Sequence, residues 1–183
     1  ALVLLLTVVP FWTSYVVRSY SWLLVLAKNG VINQTLQGAG LIGDPITLAN
    51  TRFATVLAFV HFFVMVSTLT IYASLRQIPR NLPLAARDLG ASPWHVFTRI
   101  TLPLSLPGVT VGAFLTFVLA IGDYITPQIV GGGNELLLPQ LLMLQVSRRG
   151  DFPLAAAMAL VLLVIVAAVY LVSAKNLTLE RKR

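Results

Sequence analysis

The stretch Phe53 to Leu75, FATVLAFVHFFVMVSTLTIYASL, decides the fold. It holds no Lys, Arg, Asp or Glu, and about 20 apolar residues in helical form suffice to cross a hydrocarbon core of ~30 Å. A charge at the centre of such a helix costs about 2.5–3.5 kcal/mol even on a lenient insertion scale, so a run of this length without one reads as a membrane span. Two other runs are equally free of charge, Leu104 to Gly122 and Leu154 to Ala174. A fourth, Leu2 to Ala27, carries Pro10 and Arg18. It reads as two pieces, as a kinked helix, or as a helix whose Arg18 faces protein or water rather than lipid.

Working outward to the whole chain, 57% of its 183 residues are hydrophobic, 10% are charged and the mean hydropathy is +0.87. Ordinary soluble domains are about 45–50% apolar. A water-soluble fold of this size could not bury so much apolar surface, and the expected class is an all-α polytopic membrane protein, a helical bundle with about four transmembrane helices set in a lipid bilayer. The chain has no Cys, which removes disulfides, zinc fingers and thiol nucleophiles. His61 and His95 are not at metal-ligand spacing, and the run Gly131-Gly132-Gly133 lacks the Lys-Ser/Thr of a phosphate-binding loop. Catalytic residues, a bound metal and a cofactor held by this chain are therefore not expected.

The net charge is +7, but the basic residues do not form one patch with interleaved aromatics, so nucleic acid is not the expected partner. They follow membrane topology instead. The segment between the second and third spans and the C-terminal tail hold Arg76, Arg80, Arg87, Arg99, Lys175, Arg181, Lys182 and Arg183 against Asp88 and Glu180, a net +6. The opposite side balances Lys28, Arg52, Arg148 and Arg149 against Asp44, Asp123, Glu135 and Asp151. The positive-inside rule makes the first side, with the C-terminus, cytoplasmic.

Of the two outer connections, Lys28 to Arg52 is expected to contain an interfacial or partly inserted turn of helix, and Leu136 to Val146 to form a short helix at the outer surface. Pro103 and Pro107 suit the start of the third span, where a missing N–H costs nothing. Gly108 and Gly112 have the small-x3-small spacing of closely packed membrane helices, a pattern that also arises by chance. His61, a lone imidazole in an apolar span, is expected to be packed and hydrogen-bonded, with gating as the alternative.

The functional segment is Leu75 to Pro107, LRQIPRNLPLAARDLGASPWHVFTRITLPLSLP, the one long charged stretch between spans. Asn81 is placed to cap a first helix with Pro83 in its first turn, and Gly90 to end it. Ser92 caps a second helix with Pro93 at its first position. Trp94, Phe97 and Ile100 share a face of that helix, and the two aromatics are expected to pack back against the membrane helices rather than into a partner. The small residues Ala85, Ala86, Gly90 and Ala91 would let another protein's groove close around the turn.

This loop resembles that of the permease subunits of binding-protein-dependent ABC importers, whose pattern is E-A-A-x3-G-x9-I-x-L-P. Leu84-Ala85-Ala86, Gly90 and Ile100-Thr101-Leu102-Pro103 match it at every fixed position except the leading Glu, which is Leu84. The resemblance implies a coupling loop over residues 76–103 that docks on a separate ATPase dimer, which uses ATP and Mg, with the polar contact of the missing Glu either absent or supplied from elsewhere, Asp88 being the candidate. It also implies a second permease subunit, a periplasmic solute-binding protein and a multi-pass place in the bacterial inner membrane. Segments from Pro10-Phe11-Trp12 to Arg18-Ser19-Tyr20-Ser21-Trp22, then Asn29-Gly30-Val31-Ile32-Asn33, Gly122-Asp123-Tyr124-Ile125-Thr126-Pro127 and Gly131-Gly132 look like the spermidine/putrescine branch. That branch has six spans, so residues 1–183 would be a single permease domain holding the last four.

A polyamine route should offer carboxylates and aromatic faces, which makes Asp123 and Tyr124 candidates for the path. Alternatively, Asp123 caps a helix or faces external water. Arg18 would repel a polycation and is expected to pair with a carboxylate or with carbonyls at a helix end. If it lines the path, an anionic or metal-chelate solute fits better. The other readings are an ABC permease for an iron chelate, an oxyanion or a small organic cation, and a secondary transporter or channel, which would have no use for the coupling loop.

Overall fold

The computed structural model describes residues 7–133 and 136–180, with side chains up to residue 174 in the last helix. The start of the first apolar run, Asn134, Glu135 and the terminal Arg181, Lys182 and Arg183 lie outside the described residues, as do the side chains of Lys175 and Glu180. In chain order the helices are α1 (Tyr15–Leu26), α2 (Val31–Gly38), α3 (Arg52–Gln77), α4 (Asn81–Asp88), α5 (Pro93–Val96), α6 (Leu102–Gly122), α7 (Ile125–Val130), α8 (Leu138–Leu144) and α9 (Phe152–Glu180). Among the described residues, three stretches are long and apolar enough to cross a membrane: Arg52–Gln77, Pro93–Gly122 and Phe152–Ala174, with mean hydropathies of 2.0, 2.0 and 2.9. The chain divides into two compact units, Ala1–Phe63 with Leu119–Val164, and Val64–Val118 with Ile165–Arg183.

In the first unit, the apolar run that begins the chain is broken into two pieces. A 3-10 turn at Val9–Trp12 ends at the extended Thr13, and α1 starts after Ser14. Its 12 residues rise about 18 Å, too little to cross a bilayer alone. The first connection is held by two residues. At Gly30 a Cβ would lie 2.5 Å from the carbonyl oxygens of Leu24 and Val25, so only glycine lets the chain turn back against α1. Asn33 is fully buried, donates to the carbonyls of Ala27 (3.2 Å) and Ile46 (2.9 Å), and accepts from the Ile46 amide (2.9 Å). A buried side chain with this many backbone partners fixes the loop, because each group left unpaired would cost about 1–3 kcal/mol. The core of the unit is Leu26, Ala54, Ala58 and Val130, with Trp22, Ile32 and Leu48 packed against it. Each of the two connections holds a short helix, as expected: α2 in the first and α8, at Leu138–Leu144, in the second.

The second unit contains the largest departure from expectation. Pro103 and Pro107 do not start a helix: Pro93–Gly122 is one continuous apolar helix, with a π turn at Phe97–Thr101 between α5 and α6. The Leu102 amide reaches five residues back to the Phe97 carbonyl. Such widened turns absorb an irregularity without ending a helix, and Pro103 follows at once, within the first turn of α6. The Gly108 and Gly112 spacing marks a real helix contact. A Cβ at Gly108 would collide with Ser74 and sit 2.9 Å from the Thr70 carbonyl, and one at Gly112 would overlap the Thr70 hydroxyl. One turn further, Ser67 and Thr116 share a hydrogen bond of 3.2 Å. α3 and α6 thus meet along a seam of small and hydroxylated residues, close enough for direct backbone packing.

Candidate functional site

Helix α4 begins at Asn81, with Arg80 before it and no side-chain cap. Asn81 is therefore the first helical residue rather than its cap, and the Leu82 amide bonds the Pro79 carbonyl at 3.2 Å instead. The helix ends in a hydrogen-bonded glycine turn. The Gly90 amide reaches the Arg87 carbonyl at 2.9 Å and the Ala91 amide the Ala86 carbonyl at 3.0 Å, the paired bonds of a Schellman stop. Gly90 has φ +84, the left-handed region that side-chain-bearing residues avoid. Ser92 then caps α5 as expected: its hydroxyl accepts from the His95 amide at 3.4 Å and bonds His95 Nδ1 at 2.8 Å.

The elbow encloses a cleft of about 500 Å³ whose wall includes Ala86, Gly90, Ala91, His95, Arg99 and Ile100. Of the residues singled out in the sequence, Ala86, Gly90, Ala91 and Ile100 converge there. Ala85 is exposed and accepts the Leu89 amide at 3.1 Å. Leu84, Asp88, Leu102 and Pro103 are exposed outside the cleft wall. Trp94 does not pack back onto the membrane helices. It is 70% exposed, with its ring 5.9 Å from that of Phe97, itself 45% exposed. The reason is the π turn, which carries α5 straight out of the span. Leu89, which the sequence did not single out, is 89% exposed beside the turn. Apolar side chains this bare around a rigid turn form a surface suited to a protein partner.

A second set of candidates lies in the first unit. The Asp123 carboxylate accepts from the amides of Ile125 (2.9 Å) and Thr126 (3.2 Å) through Oδ1, which caps α7, and Oδ2 accepts from the Tyr15 hydroxyl. Tyr15 also bonds the Thr126 hydroxyl and meets Phe62 edge-on at 5.0 Å. Tyr124 is 39% exposed and lines a separate cavity. Arg18 donates from Nη2 to the Thr13 carbonyl at 3.0 Å, at the end of the preceding 3-10 turn, and its guanidinium lies 5.1 Å from the centre of the Phe62 ring. Its Nε and Nη1 are shielded without a hydrogen-bond partner. His61 accepts from Trp22 Nε1 at 3.0 Å, the packed, bonded role expected of it. The pairing of Tyr15 with Asp123 carried no local signal, because the two are 108 positions apart.

Residues 1–175 match the family of binding-protein-dependent transport system inner membrane components. The chain belongs to this family. It is one of transport permeases, not of enzymes, and the inner membrane is the place its description gives. The inner membrane ABC transporter permease protein YdcU of Escherichia coli is 35% identical over 181 residues, covering 92% of this chain and 56% of YdcU. The spermidine/putrescine transport system permease protein PotB of Haemophilus influenzae is 31% identical over 182 residues, covering 99% of this chain and 64% of PotB. The chain thus spans 56–64% of the length of these two relatives. In a crystal structure of a bacterial ABC transporter involved in the import of the acidic polysaccharide alginate, one chain matches with a TM-score of 0.73 at 20% identity, over 94% of this chain and 65% of that one. The fold is shared.

Proposed function

We propose that this chain is a transmembrane subunit of an ATP-driven importer, and that the elbow from α4 to α5 is seated, on the cytoplasmic side, in a separate ATPase that hydrolyses ATP with Mg. The observation that carries the reading is the continuity of Pro93–Gly122. A force applied at Gly90 enters α5 and passes through the π turn into a membrane helix without crossing a flexible joint. The exposed Leu89 and Trp94 supply apolar area for the docking contact. Leu84, 58% exposed, replaces the acidic residue of the family's pattern, so this contact is made by packing rather than by charge. A second permease subunit completes the pathway, and a periplasmic solute-binding protein delivers the solute.

The solute is a polyamine. The support is the likeness to PotB, whose name states spermidine/putrescine transport, together with the Asp123 carboxylate and the exposed Tyr124 ring, groups that suit a flexible polycation. The test is uptake of radiolabelled spermidine and putrescine by cells carrying the complete system. Saturable uptake is expected, and deletion of 85–91 should abolish it while the protein still reaches the membrane. Undiminished transport by the deletion variant would favour a channel or secondary transporter, and wild-type cells that ignore both polyamines would remove the substrate assignment.

A further inference from the structure

One face of α1 carries Tyr15, Arg18 and Trp22, and each of them meets a side chain of α3 or α7 within the first unit. Trp22 donates to His61, Tyr15 donates to the Asp123 carboxylate, and the Arg18 guanidinium lies 5.1 Å from the centre of the Phe62 ring, which Tyr15 meets edge-on at 5.0 Å. The guanidinium is seated without being neutralised. Its Nη2 donates to the Thr13 carbonyl at 3.0 Å, its Nε and Nη1 are shielded with no hydrogen-bond partner, and no carboxylate among the described residues pairs with it. Asp123 spends Oδ1 on the amides of Ile125 and Thr126 and Oδ2 on Tyr15.

Holding a carbonyl at the end of a 3-10 turn needs only a neutral donor. A guanidinium is a costly way to do it in an apolar segment, since shielded donors left unpaired and a charge without a counter-ion both destabilise the fold. What Arg18 adds over a neutral side chain is its permanent charge, and that charge is fixed against the ring beside the Tyr15 hydroxyl on Asp123. A solute ammonium drawn to Asp123 therefore arrives within the field of Arg18. A carboxylate in a site of low dielectric holds a polycation tightly, whereas a path needs binding favourable enough to enter and weak enough to leave. We infer that Arg18 is a specificity-determining residue of the path: it repels the ammonium groups that Asp123 attracts, and so shortens the retention of a polyamine, the more so the higher its valence. This inference rests on the polyamine reading above.

The test titrates the assembled complex, in nanodiscs of zwitterionic lipid and without binding protein, with radiolabelled spermidine and putrescine. Maximal uptake is measured on the same complex in proteoliposomes with saturating loaded binding protein. Two like charges ~10 Å apart at an effective dielectric of about 20 repel enough to shift an equilibrium roughly tenfold. Arg18→Gln, which can still donate to the Thr13 carbonyl, should therefore lower the Kd for trivalent spermidine about tenfold, lower that for divalent putrescine by a smaller factor, and slow the maximal uptake of spermidine. Arg18→Lys keeps a point charge and should stay within about twofold of the wild type. Equal changes for the two polyamines, or a Lys variant that behaves as the Gln variant does, would reduce Arg18 to a clasp for the 3-10 turn and overturn the inference. Weaker retention of spermidine by Arg18→Gln, or failure of that complex to assemble, would overturn it as well. A failure of the polyamine reading itself looks different: the wild-type vesicles would then take up neither polyamine.

Discussion

Gly108→Leu is expected to prevent α3 and α6 from closing and to cost the assembled protein about 2–3 kcal/mol or more, since overpacking a tight contact forces backbone to move. At this chain length that corresponds to roughly 4–12 °C in Tm. The side chain has nowhere to go, because the Thr70 carbonyl already lies 2.9 Å from the position of its Cβ and Ser74 blocks the remainder. A neighbouring rotamer could yield, but a carbonyl inside a helix cannot. Gly38→Ala is the matched control, as a Cβ there meets nothing within 4 Å and should leave Tm unchanged within error. Thermal unfolding of the detergent-solubilised complex measures both, and equal Tm values for the two variants would show that the seam is not tightly packed.

Gly90→Val should act through a different cause and with a different signature. A Cβ at Gly90 meets nothing within 4 Å, so the variant suffers no collision. The penalty is conformational: φ +84 costs a side-chain-bearing residue about 1–2 kcal/mol, and more for a β-branched one. The strained stop should open and the angle between α4 and α5 should be lost, while membrane insertion, which depends on the spans, stays as it was. Solute uptake should fall at least tenfold relative to ATP turnover in the same vesicles. Gly90→Ala should be intermediate. A Gly90→Val protein with normal uptake per ATP would remove the elbow from the transport mechanism.

The spans were legible because absence of charge over some 20 residues has one physical meaning in a chain this apolar. The elbow was legible from Gly90, Ser92 and Pro93, whose backbone preferences are local. What the sequence did not disclose is the join between them. Pro103 and Pro107 carry the signature of a helix start, and only the π turn at Phe97–Thr101 turns the same residues into the interior of a continuous helix. The same π turn accounts for Trp94, whose place on the aromatic face of α5 predicts inward packing and which instead is exposed at the end of the helix. The pairing of Tyr15 with Asp123 was hidden for another reason: contacts between residues so far apart in sequence leave no periodicity to read. Gly108 and Gly112 showed the spacing of a helix contact, but their partners Thr70 and Ser74 became identifiable only in three dimensions.

The docking of the elbow on a nucleotide-hydrolysing partner is tested most directly from Leu89, the barest apolar side chain beside the turn at 89% exposure. A photo-reactive amino acid placed at Leu89 in the assembled complex should cross-link to the ATPase subunit, and the yield should change when ATP is bound. Adducts formed only with proteins outside the cell, or none with the ATPase in a complex that still transports, would contradict the account.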